Sequence, residues 1–194
     1  MIENYDTFMR LLKSRHSCRS FASDPVDERI IQNLSDAFAL SPQAGGKRHL
    51  NCRFITDRVV IRNLIERGQD SFSAFCQGIP YPLIGEEVAR YGGEHFFWFA
   101  EAPALAVVTC RKTPAFLQQS AGNKASLIWG GELSAAMASF SLLLAAETIG
   151  LGACCLTGPL IVWREIEEFL GIPKRDSLIL LIALGYKKVC HDQE

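Results

Sequence analysis

Apolar positions along the chain alternate between helical and strand-like spacing. Phe8, Leu11 and Leu12 recur at helical spacing, so residues 4–13 read as a short amphipathic helix. A break follows over Ser14–Asp24. Asp24-Pro25 then opens a second helix, since Asp caps helices and Pro suits the first helical position. Its apolar face is Ile30, Ile31, Leu34 and Phe38. Ser41–Gly46 ends it in a loop. Cys52–Thr56 reads as a strand, and Val60, Ile61, Leu64 and Ile65 mark a third helix. Between residues 70 and 100, Gly78, Pro80, Pro82, Gly85 and Gly92-Gly93 interrupt a run of aromatic residues, so short helices and irregular structure are expected. Ala104–Cys110 is a buried strand. Ser126–Ile149 is the longest helical signal and stops at Gly150-Leu-Gly152. Ala153–Thr157 reads as a strand, Leu160–Leu170 as a helix and Leu178–Leu184 as a last strand.

Repeats, linkers and low-complexity runs are absent, so residues 1–194 are expected to form a single domain. The alternation of helix and strand fits a doubly wound α/β fold. Yet the first strand arrives only after two helices, and no Gly-rich GxGxxG turn follows it. An α+β sheet wrapped by helices fits the order equally well.

Composition narrows the function. The chain has 48% apolar and 21% charged residues, which excludes a disordered chain. The formal charge is −1, which argues against a general nucleic-acid binder. Mean hydropathy is slightly positive, but no uncharged run exceeds the 16 residues of Thr148–Trp163, and Leu133–Ala146 spans 14. A spanning helix needs about 20 apolar residues. The N-terminus carries no apolar leader region. A soluble, cytoplasmic chain that enters no membrane is therefore expected.

The seven cysteines include no CxxC and are read as free thiols. The four histidines share no metal-ligand spacing, so no metal site is expected. Cys18 lies between Arg15 and Arg19, a setting that lowers a thiol pKa and would suit a nucleophile, but the preferred reading is a small filler residue in a basic segment.

Three segments carry candidate chemistry. Arg15-His16-Ser17-Cys18-Arg19 places two guanidinium groups and a hydroxyl on alternate positions just after a helix. Arginine forks bind phosphate bidentately and Ser adds a donor. The other reading is a solvated basic turn at a helix end. Ser41-Pro-Gln-Ala-Gly-Gly46 offers backbone N–H groups that a flat ligand can approach, or else it is a plain connection. Gly150–Pro159 crosses a short strand into a turn and is either a ligand wall or a packed helix–strand junction.

In order, these segments resemble the nitroreductase-like FMN-dependent flavoprotein family. The resemblance rests on Arg15-x-Ser17-x-Arg19, Pro25-Val26, Ser41-Pro-x-Ala-Gly45, Glu101-Ala-Pro103 before an apolar strand, and Leu143–Gly152 with its Gly-Leu-Gly exit. It continues through Leu170-Gly-Ile-Pro173 and Ala183-Leu-Gly-Tyr186. The resemblance implies an α+β fold, a mixed but mainly antiparallel sheet wrapped by helices, in an interleaved homodimer. It implies FMN at the subunit interface. Arg15, His16, Ser17 and Arg19 would meet the flavin phosphate and ribityl chain. Pro42, Gln43, Ala44, Gly45 and Gly46 would be laid by the partner subunit against the ring. Cys155, Leu156, Thr157 and Gly158 would run past the ring edge. The implied activity is ping-pong electron transfer from NAD(P)H through FMN to nitroaromatic, quinone or related conjugated acceptors, with no side chain acting as acid or base. The chemistry is then the cofactor's.

The chain departs from the family pattern in places. Gly46-Lys-Arg-His-Leu50 replaces an Asn followed by Gln-Pro-Trp, Ser134 falls where many members have an acid, and only Lys187 and Lys188 follow Tyr186 to complete the phosphate site. Other functional classes are a flavin dehydrogenase that uses oxygen as acceptor, a flavin-binding protein without nicotinamide turnover, and a thiol enzyme built on Cys18.

Overall fold

A computed structural model describes residues 2–44, 49–112 and 130–188. Helix α1 (Ile2–Ser14) is followed by α2 (Glu28–Ala39), β1 (Leu50–Ile55), α3 (Arg58–Gln77) and α4 (Pro82–His95). A 3-10 turn at Phe99–Glu101 leads into β2 (Ala104–Arg111). Then come α5 (Gly130–Thr148), β3 (Leu151–Leu156), a 3-10 turn at Gly158–Val162, α6 (Trp163–Phe169) and β4 (Asp176–Tyr186). No described helix is long and apolar enough to cross a membrane.

The four strands form one sheet in the order β1-β2-β4-β3, with antiparallel pairing throughout. The doubly wound alternative is thereby excluded for the described strands. β2 and β4 are central, which explains the buried run Ala104–Cys110. Side chains alternate between the two faces. Leu105 and Val107 of β2 meet Phe72, Phe97, Phe99 and Ile166 on one face. Ala104, Ala106 and Val108 meet Leu34, Phe38, Ala138 and Leu142 of α2 and α5 on the other.

Three elements differ from the sequence expectation. Helix α2 starts at Glu28, not at Asp24-Pro25. Asp27 is its cap: the carboxylate accepts the Arg29 N–H at 2.7 Å. Pro25 stays outside, which lets Val26 reach the core. Helix α3 runs on to Gln77, well into the stretch expected to be irregular. Its buried stripe is Ile61, Leu64, Ile65, Gly68, Phe72 and Cys76, so Gly68 is part of the periodicity rather than a break. Asp57 caps it, accepting from Val59 and Val60. The α4 region is a single helix of 14 residues. The expected helix start over 126–129 lies outside the described residues.

The Ser14–Asp24 break is also structured. Ser17 forms a parallel bridge to Ala153, and the Cys18 N–H donates to the Ala153 carbonyl at 3.0 Å. Phe21 bridges antiparallel to Lys187, and the Ala22 N–H donates to the Tyr186 carbonyl at 2.9 Å. The basic segment is thus stitched onto the edge strand β3 and the end of β4. The α5–β3 turn that brings β3 to this edge needs Gly150, whose φ is +81°.

Candidate functional site

Arg19 and the exit of β3 bound a cleft of about 650 Å³, while Arg15, His16 and Ser17 sit beside it and do not line it. Arg19 enters it from one side. Cys154, Cys155, Leu156, Thr157, Gly158 and Pro159 form its floor and end. Tyr91, Glu94 and His95 of α4, with Phe96 and Trp98 just after it, form the remaining wall. The wall is a chain of aromatic contacts. Tyr91 meets His95 edge-on at 4.5 Å and Phe96 edge-on at 5.8 Å, and Phe96 meets Phe72 at 5.4 Å. Gly158 has to be glycine here, because any Cβ would sit inside the Phe96 ring.

The electrostatics of Cys154 locate the basic groups. Burial raises its thiol pKa, while Arg19, a Ser17 hydrogen bond and Arg15 pull it down, and Cys18 adds a further upward push. So Arg15, Ser17 and Arg19 converge on one point beside β3. A buried cysteine there stays protonated, and the local positive field is left for a ligand. Cys155, facing the same cleft, is pushed up to about 11, first by burial and then by Cys154, against Arg15. His16 is exposed, and its Nδ1 lies 2.9 Å from the Ser14 carbonyl.

Pro42, Gln43 and Ala44 do not line this cleft. They follow α2 and rest on the start of α5, where the Ala44 N–H donates to the Ser134 hydroxyl at 2.8 Å. Ser134 in turn donates to the Gly130 carbonyl, so the position where an acid was expected serves to tie this loop to α5. The Gln43 Oε1 is buried and finds no donor among the described residues. Gly45, Gly46, Lys47 and Arg48 lie outside the described residues, as do Cys190 and His191.

Two readings left open by the sequence are decided. Lys187 is not a spare cation for the phosphate: its Nζ is held between the two Glu147 oxygens at 2.8 and 2.9 Å. Lys188 is exposed, and its N–H donates to the Ser20 carbonyl at 3.2 Å. Cys18 is not presented as a nucleophile. It is buried, its thiol donates to the Ser20 carbonyl at 3.2 Å, and it fills the space above Gly152. The sequence reading also missed Tyr91, Glu94, His95, Phe96 and Trp98. Their signal was the aromatic density of residues 70–100. Phe72, Phe97 and Phe99 are core, but Tyr91, Phe96 and Trp98 line the cleft. No group of His, Cys, Asp or Glu able to hold a metal occurs among the described residues.

The model of the nitroreductase family matches residues 12–186, and the chain belongs to that family. Its sequence is 26% identical over 190 residues to the iodotyrosine dehalogenase 1 homolog of Caenorhabditis elegans, covering 95% of this chain and 56% of that protein. The chain thus spans little more than half of that relative. It is 24% identical to the 5,6-dimethylbenzimidazole synthase of Rhodobacter capsulatus, covering 96% of this chain and 86% of that one. Among solved structures it is similar to the nitroreductase with bound FMN from Bacteroides fragilis, with a TM-score of 0.73, 19% identity, and coverage of 96% and 91% of the two chains.

Proposed function

We propose that this chain is an FMN-dependent oxidoreductase that takes electrons from NAD(P)H and delivers them to nitroaromatic, quinone or related conjugated acceptors. The observation that carries this reading is the meeting of Arg15, Ser17 and Arg19 with the β3 exit beside one cleft of about 650 Å³. The residues fit the cofactor's two ends. Two guanidinium groups and a hydroxyl around one point suit a phosphate dianion. The backbone of Cys155–Gly158 opposite an aromatic wall suits a flat ring.

When bound, FMN supplies the hydride-accepting and electron-donating centre. The chain's own residues hold and shield it. Arg15 and Arg19 fix the phosphate, and Ser17 donates to it. Gly158 lets Phe96 close down beside the β3 exit, which narrows access for water. Tyr91, Phe96 and Trp98 offer ring faces and edges that orient a planar acceptor. Burial disfavours the thiolate at both cysteines of the cleft, so neither is presented as a nucleophile.

A homodimer completes this reading. Pro42, Gln43 and Ala44 lie away from their own chain's cleft, and Leu133, Met137 and Phe140 of α5 lie exposed. A second chain covering α5 would carry its own 42–44 loop toward the cleft.

The purified protein should be yellow and release FMN on denaturation. Under anaerobic conditions NADH or NADPH should bleach it, and a quinone or nitroaromatic should restore the colour. A colourless protein that does not bind added FMN defeats the proposal. A flavin that neither nicotinamide reduces supports an oxygen-using dehydrogenase or a flavin carrier instead.

A further inference from the structure

Sheet register also assembles a second group of cations, which is scattered in the sequence. Arg53 comes from β1, Arg111 and Lys112 from the end of β2, and Lys174 and Arg175 from the approach to β4. All five are exposed. The framework holds them together. The Arg53 guanidinium donates to the Leu170 carbonyl at 2.8 Å. The Lys112 N–H donates to the Arg175 carbonyl at 2.9 Å, and its Nζ to the Lys174 carbonyl at 3.0 Å. Arg111 stands opposite Asp176 in the ladder.

Arg53 and Arg175 line a cleft of about 200 Å³, together with Asn51, Thr109, Asp176 and the loop 171–173. It shares no lining residue with the larger cleft. Against these five cations stand Asp176 in the cleft, Glu167, which accepts the Leu178 N–H at 2.7 Å, and Glu132, which with Asp176 pushes up the pKa of the Cys110 thiol after burial. In a chain with a net charge of −1, that is a strong local asymmetry. A concave site focuses such a field. Two guanidinium forks with a hydroxyl and an amide beside them match a tetrahedral oxyanion. The volume is below the roughly 300–1,000 Å³ of a whole-ligand pocket. It therefore takes the head of a ligand, whose remainder extends over Arg111, Lys112 and Lys174. Asp176 repels a second anionic group inside the cleft but accepts from a hydroxyl.

We propose that this cleft binds a small phosphomonoester bearing a hydroxyl group, independently of the cleft bounded by Arg19. The test is amide NMR of the full chain carrying one bound FMN and freed of excess flavin, titrated with inorganic phosphate, with glycerol 2-phosphate, and with sodium chloride at matched ionic strength. Saturable shifts at Thr109, Gly171 and Asp176 are expected with both phosphates and stronger binding with the ester, while chloride gives none. Arg175→Ala should weaken binding at least about tenfold, the loss of one charge-assisted contact. Arg175→Lys should fall between, because it keeps the charge and loses the fork. Arg19→Ala should leave these shifts in place. Equal shifts with chloride, or undiminished affinity in Arg175→Ala, overturn the proposal. So does a DNA duplex that binds with steep salt dependence across Arg111, Lys112 and Lys174 while phosphate gives no saturable effect.

Discussion

The two faces of the sheet are closed in different ways. On one face, α3, α4, α6 and the 3-10 turns bring Phe72, Phe97 and Phe99 onto Leu105, Val107 and Leu181. Bulky rings fill that layer, and the same aromatic belt continues outward as the wall of the larger cleft. On the other face, α2 and α5 cover Ala104, Ala106, Val108 and Ile182 largely with small side chains, Ala135, Ala138 and Ala146 among them. Small residues let α5 lie close to the sheet, yet α5 is apolar on its outer side as well. Leu133, Met137 and Phe140 are 67%, 46% and 45% exposed. Tyr5 and Phe8 of α1, which packs beside α5, are exposed too. A helix that is apolar all round belongs in an interior. So the sheet-facing rings of the aromatic face are buried within one chain, although Leu83 and Ile84 of α4 are exposed, while α5 among the described residues is apolar on its outer side as well as its inner one.

The largest effect should come from breaking the aromatic face. Phe99 is 1% exposed and packs edge-on to Trp98 at 6.2 Å. Phe99→Ala should cost about 3–5 kcal/mol, read as a lower urea midpoint. A loss below about 1 kcal/mol would mean that this layer is looser than its packing implies. The α5 face is broken differently. Phe140→Glu touches an exposed position, so its cost within one chain should stay within about 0.5 kcal/mol. In an assembly that buries α5 it should split the particle, and sedimentation should show the mass falling to that of one chain. A wild-type protein that already sediments as a monomer would show that nothing covers this face.

How legible this was in the sequence depends on how local each feature is. β2 was readable because an edge-to-edge apolar run needs no context. The Arg15–Arg19 segment was readable because its members are neighbours in the chain. The start of α2 was misplaced because Asp24 and Asp27 are both competent caps, and only burial of Val26 decides between them. The length of α3 was hidden by Gly68, whose missing side chain is filled by the Phe97 ring, a contact from 29 positions away. The commitment of Lys187 to Glu147 could not be read from either residue alone. The second group of cations has no sequence signature, since register alone gathers residues 53, 111–112 and 174–175.

Within the larger cleft, the cationic and aromatic sides should separate by readout. Arg15→Ala and Arg19→Ala should each lower FMN affinity by about tenfold or more, measured by fluorescence of released flavin. Unchanged affinity in both removes the phosphate assignment. Tyr91→Ala removes an exposed ring of the wall and should act on the acceptor. A KM for nitroaromatics raised about two- to tenfold, with FMN affinity unchanged, corresponds to the 0.5–1.5 kcal/mol of an aromatic pair. A fall in FMN affinity instead would place Tyr91 against the cofactor.

The smallest effect is a pH dependence that reports on the small-residue face. Cys52 and Cys155 both pack against that layer. Burial pushes the Cys52 thiol up to about 12, and burial followed by Cys154 pushes Cys155 up to about 11. Unfolded thiols ionise near about 8.5. Below that pH both states hold the proton, and the two thiols contribute no slope. Above it the unfolded chain loses protons that the folded chain keeps, so the folded state binds more protons and stability falls as pH rises. The decline should begin near pH 8.5 and continue through the two raised values. Cys155→Ala should flatten its upper part, measured as the urea midpoint at a series of pH values. If that slope is unchanged, the protonated Cys155 is not what couples this face to pH, and the comparison between the faces rests on packing alone.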